Sequence, residues 1–280
     1  MSEAKGLGYW VASLSRINLP VLKQTTRDLN ALHDDEEKLT AASVAGIIAR
    51  DPIMTVKLLR YLQLHKHRYQ TTEVVQIEQA LLMLGIDALY NHVPLDFTVE
   101  EAMGSNIDAL AHVLRVVHRL HRASEYARDW AVMLRDLHYE EVRIAALLHD
   151  IAEVLMWCFA PGQMLEIYDI QHKDKTLRSR DVQQQVLGFA LMDLQRELVV
   201  QWSLPQLLFT LMNDSNANQP RVRNVNLAVR LARHSADDWE DAALPDDYKD
   251  IGELLRMPAD EVMMMLKVEE GILCDLNQPH

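Results

Sequence analysis

Apolar residues recur at intervals of three and four along most of this chain, and that spacing places them on one face of an α-helix. In the segment Ala41–Arg50, for example, Val44, Ile47 and Ile48 share a face. Alternating patterns typical of β-strands are nearly absent, and glycine and proline number only nine each. Because 49% of the 280 residues are apolar, the chain can bury a sizeable core. The sequence therefore predicts an all-α protein.

Capping residues and helix breakers locate the helix ends in the N-terminal part of the chain. Thr40 is expected to cap the helix just described with its hydroxyl group. Asp51 followed by Pro52 is typical of a cap and a first helical residue. Gly85 is expected to end a short apolar helix, and Asp87 is expected to cap the next one.

The predicted helices lengthen beyond Met103–Asn106. They cover Asn106–Arg135, Tyr139–Phe159, Asp181–Trp202, Pro205–Met212, Val222–Arg233 and Pro258–Cys274. This change of element length predicts a domain boundary, with an N-terminal helical subdomain at residues 1–104 and a helical core with C-terminal helices at residues 105–280.

Acidic residues outnumber basic ones by 41 to 28, which gives a formal net charge of -13. Such a charge opposes the counterion release that drives most nucleic-acid binding, so general DNA or RNA binding is not expected. A local basic group is formed by Arg221, Arg223, Arg230 and Arg233. It is interpreted either as a solvated helix face or as a contact for an anion or an acidic partner.

The sequence also bears on the cellular compartment. No stretch reaches the roughly 20 uncharged apolar residues that a membrane helix needs. The N-terminus MSEAKGLGYW lacks the basic start and apolar centre of a signal peptide. The two cysteines, Cys158 and Cys274, have no CxxC spacing and are expected to be buried, reduced thiols. We therefore expect a cytoplasmic protein that does not bind a membrane.

The most informative string is AALLHDIAEVL, in which His149 and Asp150 are adjacent within an otherwise apolar helix. Burying both side chains is costly unless each has a partner. One solution is a divalent metal, because imidazole nitrogen and carboxylate oxygen together suit iron, manganese or zinc. The other solution is a hydrogen-bonded structural pair. The dipeptide alone leaves both interpretations open.

His121 is the best upstream partner for this dipeptide. It lies 28 residues before His149, and Arg135, midway between them, falls where the helical pattern breaks. Antiparallel packing of the two helices would therefore place His121 level with His149. Other enzymatic motifs are absent from the sequence, which has no Walker glycine loop, no GxGxxG, no GxSxG and no HExxH.

Five segments occur in a characteristic order: Val44–Pro52 followed by Thr55, Lys57, Leu58 and Leu59; Ile77–Gly85; Ala146–Ile151; Leu187–Phe189; and Trp202–Pro205. Together they resemble the HDOD family, whose name denotes an HD-related output domain of bacterial signalling proteins. The resemblance implies an all-α fold with an HD-like helical core. It also implies a non-catalytic domain that relays or scaffolds signals through protein contacts.

The chain departs from the family pattern at four places. Gln63-Leu64 stands where the family usually carries Asn-Ser, and Leu191 stands where it commonly offers a histidine. Asn213-Asp214-Ser215 replaces tandem histidines, and Val229 occupies the position at which catalytic HD proteins place a closing aspartate. Leu191 and Val229 are hydrocarbon side chains and cannot bind a metal.

The resemblance and these departures lead to one functional expectation. His149, Asp150 and His121 are interpreted as a vestigial set of metal ligands, with no catalytic residue and no cofactor beyond substoichiometric divalent metal. The chain is expected to be a non-catalytic signal-transduction or scaffolding module whose partners are other signalling proteins. The alternative is a metal-dependent phosphohydrolase of the HD superfamily that acts on a nucleotide or a cyclic dinucleotide. A nucleic-acid binder that uses the four arginines is a third, less favoured reading.

Overall fold

The computed structural model describes residues 5–65 and 73–268. The regular elements in these ranges are helices, apart from one isolated parallel bridge between Val21 and Thr98. The all-α prediction is confirmed.

The helices follow one another along the whole described chain. They are α1 Leu7–Leu14, α2 Lys23–His33, α3 Ala41–Ile48, α4 Pro52–Leu64, α5 Ile77–Leu84, α6 Ile86–His92, α7 Val99–Met103, α8 Ile107–Met133, α9 Tyr139–Leu148, α10 Ile151–Phe159, α11 Pro161–Lys173, α12 Ser179–Leu187, α13 Leu191–Gln201, α14 Gln206–Leu211, α15 Pro220–His234, α16 Leu244–Leu255 and α17 Ala259–Met265. A short 3₁₀ turn at Asp214–Asn216 precedes α15.

Two predicted helix starts are confirmed. The Thr40 hydroxyl accepts a hydrogen bond from the backbone N–H of Ser43 at 3.1 Å, and the Ser43 hydroxyl accepts one from the Thr40 N–H at 3.0 Å. The Asp51 carboxylate accepts from the N–H groups of Ile53 and Met54 at 2.9 and 3.0 Å. These bonds satisfy N–H groups that have no partner within their own helices.

The expected cap at Asp87 is wrong. Gly85 ends α5 and is itself the residue before α6, with a φ of 84° that a side chain would disfavour. Because no spacer separates the two helices, Asp87 lies in the first turn of α6.

Two long predicted helices are each divided into two. The predicted helix Asp181–Trp202 breaks at Gly188, whose φ of 81° ends α12 in the left-handed conformation. The predicted helix Tyr139–Phe159 breaks at Asp150, whose φ of -113° and ψ of 32° are not helical. The second break falls on the His-Asp dipeptide itself.

Residue contacts divide the chain into two compact units, each built from two stretches of sequence. The first comprises the described residues of Met1–Val117 and Asp150–Phe209, and the second those of His118–His149 and Thr210–His280. In the first unit α3 packs against α5, and α13 packs against α1 and α10. In the second unit α15 packs against α9 and α16. The domain boundary at residues 104 and 105 stays a prediction.

Two further expectations concern cysteines and the membrane. Cys158 is buried, and burial raises the pKa of its thiol to about 12. Cys274 and the end of the helix predicted at Pro258–Cys274 lie outside the described residues. In the described chain no single helix is long and apolar enough to cross a membrane, and the one pair that would qualify jointly is bent by 114°.

Candidate functional site

The His-Asp dipeptide lies at the junction between two consecutive helices. His149 follows the last residue of α9, and Asp150 precedes the first residue of α10. Both side chains are buried, with exposed fractions of 4% and 8%. The Asp150 backbone carbonyl accepts hydrogen bonds from the N–H groups of Glu153 and Val154, so it begins the second helix. The chain therefore buries two polar side chains at the point where one helix ends and the next begins.

Gln195 supports the start of α10 and was missed by the sequence reasoning. Its side chain is buried, and its amide oxygen accepts a hydrogen bond from the Ala152 N–H at 2.9 Å. That N–H lies in the first turn of α10 and has no partner within the helix. A glutamine on the apolar face of α13, between Leu194 and Leu198, is the signal that could have indicated it.

The two hydrocarbon positions that depart from the family pattern are both buried. Leu191 is the first residue of α13, and its backbone N–H donates to the side-chain oxygen of Gln183 at 2.9 Å. Val229 lies on the buried face of α15. Leu191 belongs to the first unit and Val229 to the second. Neither side chain has a lone pair with which to bind a cation.

His121 lies on α8, and its side chain is half-buried. His121 and His149 belong to the second unit, whereas Asp150 belongs to the first. The close approach of the two histidines stays a prediction. Among the described residues, no three or more His, Cys, Asp or Glu side chains are grouped so as to hold a metal ion.

The predicted arginine cluster lies on α15 within the second unit. Arg221 donates two hydrogen bonds to the Asp136 carboxylate, at 2.6 and 2.7 Å. Arg223 pairs with Glu253 at 2.6 Å. The exposed Arg233 lies in the last turn of the helix. Three of the four arginines, Arg230 included, are thus paired with carboxylates, which weakens their attraction for an external anion.

Arg230 pairs with the most buried carboxylate of this group, that of Asp247. Its guanidinium donates to Asp247 at 2.6 Å and to Asp250 at 2.5 Å. The Asp247 side chain is only 1% exposed, and its other oxygen is 2.6 Å from Nδ1 of His234. A buried carboxylate needs such partners, because an unpaired buried charge is costly. We therefore interpret these ion pairs as contacts that hold α16 against α15.

Comparisons of sequence and structure relate the chain to known proteins. Residues 19–218 match the family model of the HDOD domain. A virulence factor from Campylobacter jejuni is similar in structure, with 17% identity, coverage of 98% of each chain and a TM-score of 0.68. The MmoQ response regulator from Methylococcus capsulatus has 17% identity over 90% of this chain and 99% of its own, with a TM-score of 0.65. Identities this low show a common fold alone, and no curated protein matches in sequence.

Proposed function

The chain belongs to the HDOD domain family, and from this premise we propose that it is a non-catalytic signal-transduction or scaffolding module. It acts through contacts with other signalling proteins. The observation that carries the proposal is the mismatch between the His-Asp junction and the needs of a hydrolytic metal centre.

A hydrolytic metal centre needs about three or four protein ligands and an open position at which water is activated. His149 and Asp150 offer two ligands, and His121 is the predicted third. The described residues contain no group of three such side chains, and Leu191 and Val229 are hydrocarbon. These features support a structural role for the buried dipeptide over a hydrolytic one.

A second observation supports action through protein contacts. Five large apolar side chains between the end of α8 and the start of α9 are 37% to 88% exposed: Val132, Met133, Leu134, Leu137 and Tyr139. We call this group the corner patch. Single exposed apolar residues are ordinary on a protein surface, but several neighbouring ones are characteristic of interaction sites. The corner patch lies entirely within the second unit.

The catalytic question is tested with protein purified without chelator. We expect substoichiometric iron, manganese or zinc by elemental analysis, and no metal-dependent release of phosphate from nucleotides or cyclic dinucleotides. His149→Ala and Asp150→Ala are each expected to lower the free energy of unfolding by about 1 to 3 kcal/mol, because each removes one member of a buried polar pair.

One metal ion per chain, together with an activity that His149→Ala abolishes at an unchanged melting temperature, would establish the phosphohydrolase instead. His118→Ala is the matched histidine control, because His118 is exposed on α8, the helix that also carries His121. Ser124→Ala, on the same helix, is unsuitable as a control, because the Ser124 hydroxyl donates a hydrogen bond to the His121 carbonyl at 2.7 Å.

A further inference from the structure

A cavity of about 290 Å³ opens within the first unit, between the segment after α1, helix α4 and the end of α6 with the residues that follow it. Its basic lining residues are Arg16, Lys57, Arg60 and His92. The remaining described residues around it are apolar, aromatic or amide side chains, and none is a carboxylate. We call it the basic cavity. In a chain of net charge -13, a concave site whose charged lining residues are three basic side chains, Arg16, Lys57 and Arg60, is unusual.

Lys57 builds the wall of the basic cavity. Its ammonium group donates to the Asn18 side-chain oxygen at 2.9 Å, to the Leu19 carbonyl at 3.0 Å and to the Pro94 carbonyl. An ammonium has three donors, so all of them are engaged. Lys57 therefore ties the segment after α1 to the segment after α6, and contributes charge to the cavity without offering a further hydrogen bond.

Arg60 is held in place but keeps donors. One of its terminal nitrogens donates to the Ser15 carbonyl at 2.9 Å, and its guanidinium carbon lies 5.2 Å from the centre of the Trp202 ring. These contacts orient the planar group beforehand, which reduces the entropy lost on binding. Its other N–H groups make no hydrogen bond with the described residues. Arg16 lines the same cavity with an exposed side chain.

The rest of the lining supplies a surface for a flat apolar body. Tyr61 and His92 lie nearly parallel, with ring centres 5.9 Å apart and an angle of 16° between their planes. Leu64, Val93 and Pro94 add aliphatic surface. Leu64 is the second residue of the pair that departs from the HDOD pattern. The cavity volume of about 290 Å³ is just below the range of about 300 to 1,000 Å³ for small-molecule sites.

We propose that the basic cavity binds a phosphate monoester carried on a planar ring, of mononucleotide size or smaller. The guanidinium groups of Arg60 and Arg16 hold the phosphate, because their planar donors match its oxygens. The ring lies against the aromatic and aliphatic part of the lining. The site is separate from the His-Asp junction and requires no chemistry there. It provides a small-molecule input for a module whose output is a protein contact.

The proposal is tested with three probes of graded chemistry, measured by calorimetry and by chemical-shift perturbation. Adenosine 5′-monophosphate has the ring and the phosphate, adenosine has only the ring, and inorganic phosphate has only the anion. We expect the monophosphate to bind at least about ten-fold more tightly than either fragment, since it engages both halves of the cavity.

Two variants and a matched control locate the binding. Arg16→Gln removes an exposed charge and is expected to weaken binding about three-fold or more without lowering the melting temperature. Arg60→Lys keeps the charge but loses the planar fork, and is expected to weaken binding about ten-fold. Arg50→Gln removes an exposed arginine that does not line the cavity, and is expected to bind as the parent does.

Three outcomes would overturn the proposal. The first is no binding of the monophosphate. The second is equal binding by the parent and Arg16→Gln, or equal loss in Arg50→Gln. The third is binding of inorganic phosphate as tight as that of the monophosphate, which would remove the ring from the proposed ligand. Because adenosine 5′-monophosphate is neither cleaved nor transformed in this scheme, each result is independent of the phosphate-release assay.

Discussion

Lys57 illustrates what burial does to a single charge. Its side chain is 7% exposed, and burial lowers the pKa of its ammonium group to about 8. Asp51 and Asp96 oppose this shift of the pKa, while the neighbouring Arg60 adds to it. The hydrogen bonds to three oxygen atoms keep the charged form tolerable in the core. As a result, the buried ammonium group loses its proton at a lower pH than it would in water.

The lowered pKa makes a prediction for stability. Between about pH 8 and pH 10.5 the unfolded chain still binds the proton that the folded protein has lost, so the free energy of unfolding rises with pH in this window. This contribution is lost as pH falls through the folded-state pKa. Relative to Lys57→Met, the parent is expected to gain about 1 kcal/mol from about pH 7.5 to 9.5, a value reduced for solvent screening.

Urea denaturation of both proteins across this range gives the difference directly, because all other groups titrate in both. Since the substitution also removes three hydrogen bonds, its absolute stability is expected to be lower at every pH. NMR titration of the lysine side chains in the parent provides an independent reading. Parallel stability curves for the two proteins, or a Lys57 pKa near 10, would refute the assignment.

At the scale of elements, the end of α16 shows how a backbone approach selects a glycine. After Leu255 the chain turns back through Arg256, whose φ is 60°, and the Met257 N–H donates to the Gly252 carbonyl at 3.0 Å. A Cβ atom at Gly252 would lie 2.6 Å from the Met257 carbonyl oxygen. That distance is too short, and the atom it meets is backbone rather than a mobile side-chain end.

Two glycine substitutions therefore have opposite expected signs. Gly252→Ala forces the turn after α16 to shift and is expected to lower the free energy of unfolding by about 1 to 3 kcal/mol. Gly46→Ala adds a methyl group inside α3, where nothing lies within 4 Å of the new atom. It is expected to raise the free energy of unfolding by about 0.5 to 1 kcal/mol, because alanine favours the helix. Chemical denaturation measures both, and a stabilising Gly252→Ala would contradict the close approach.

At the scale of the whole molecule, the role of the corner patch in partner binding can be tested against an exposed apolar residue outside it. Leu137 is 88% exposed and Leu82, in the first unit, is 70% exposed. Leu137→Glu and Leu82→Glu both place a charge on an exposed apolar position, so both are expected to change the free energy of unfolding by less than about 0.5 kcal/mol.

Only the first variant is expected to affect partners. Signalling proteins that co-purify with the tagged parent from its native cells should be lost with Leu137→Glu and retained with Leu82→Glu. Quantitative mass spectrometry of the purified material measures this. Retention of the same proteins by both variants would show that the corner patch is not the contact surface.

The features that local interactions control were predictable from the sequence. Helical periodicity and the caps at Thr40 and Asp51 depend on residues within a few positions of one another. The ordered HDOD segments identified the family for the same reason, since they are contiguous strings. The prediction that Asp87 caps α6 was wrong by two residues, because Gly85 itself is the capping residue and Asp87 lies in the first turn.

The side-chain partnerships required the tertiary structure, because they join residues far apart along the chain. Arg221 meets a carboxylate 85 positions away, and Ala152 meets the amide oxygen of Gln195, 43 positions away. Helical periodicity indicates which face of a helix is buried, but not which polar group of a distant helix lies opposite it. The basic cavity likewise combines side chains from three separate stretches of sequence. Local sequence fixes backbone preferences, whereas long-range packing brings charges and hydrogen-bonding groups together into sites.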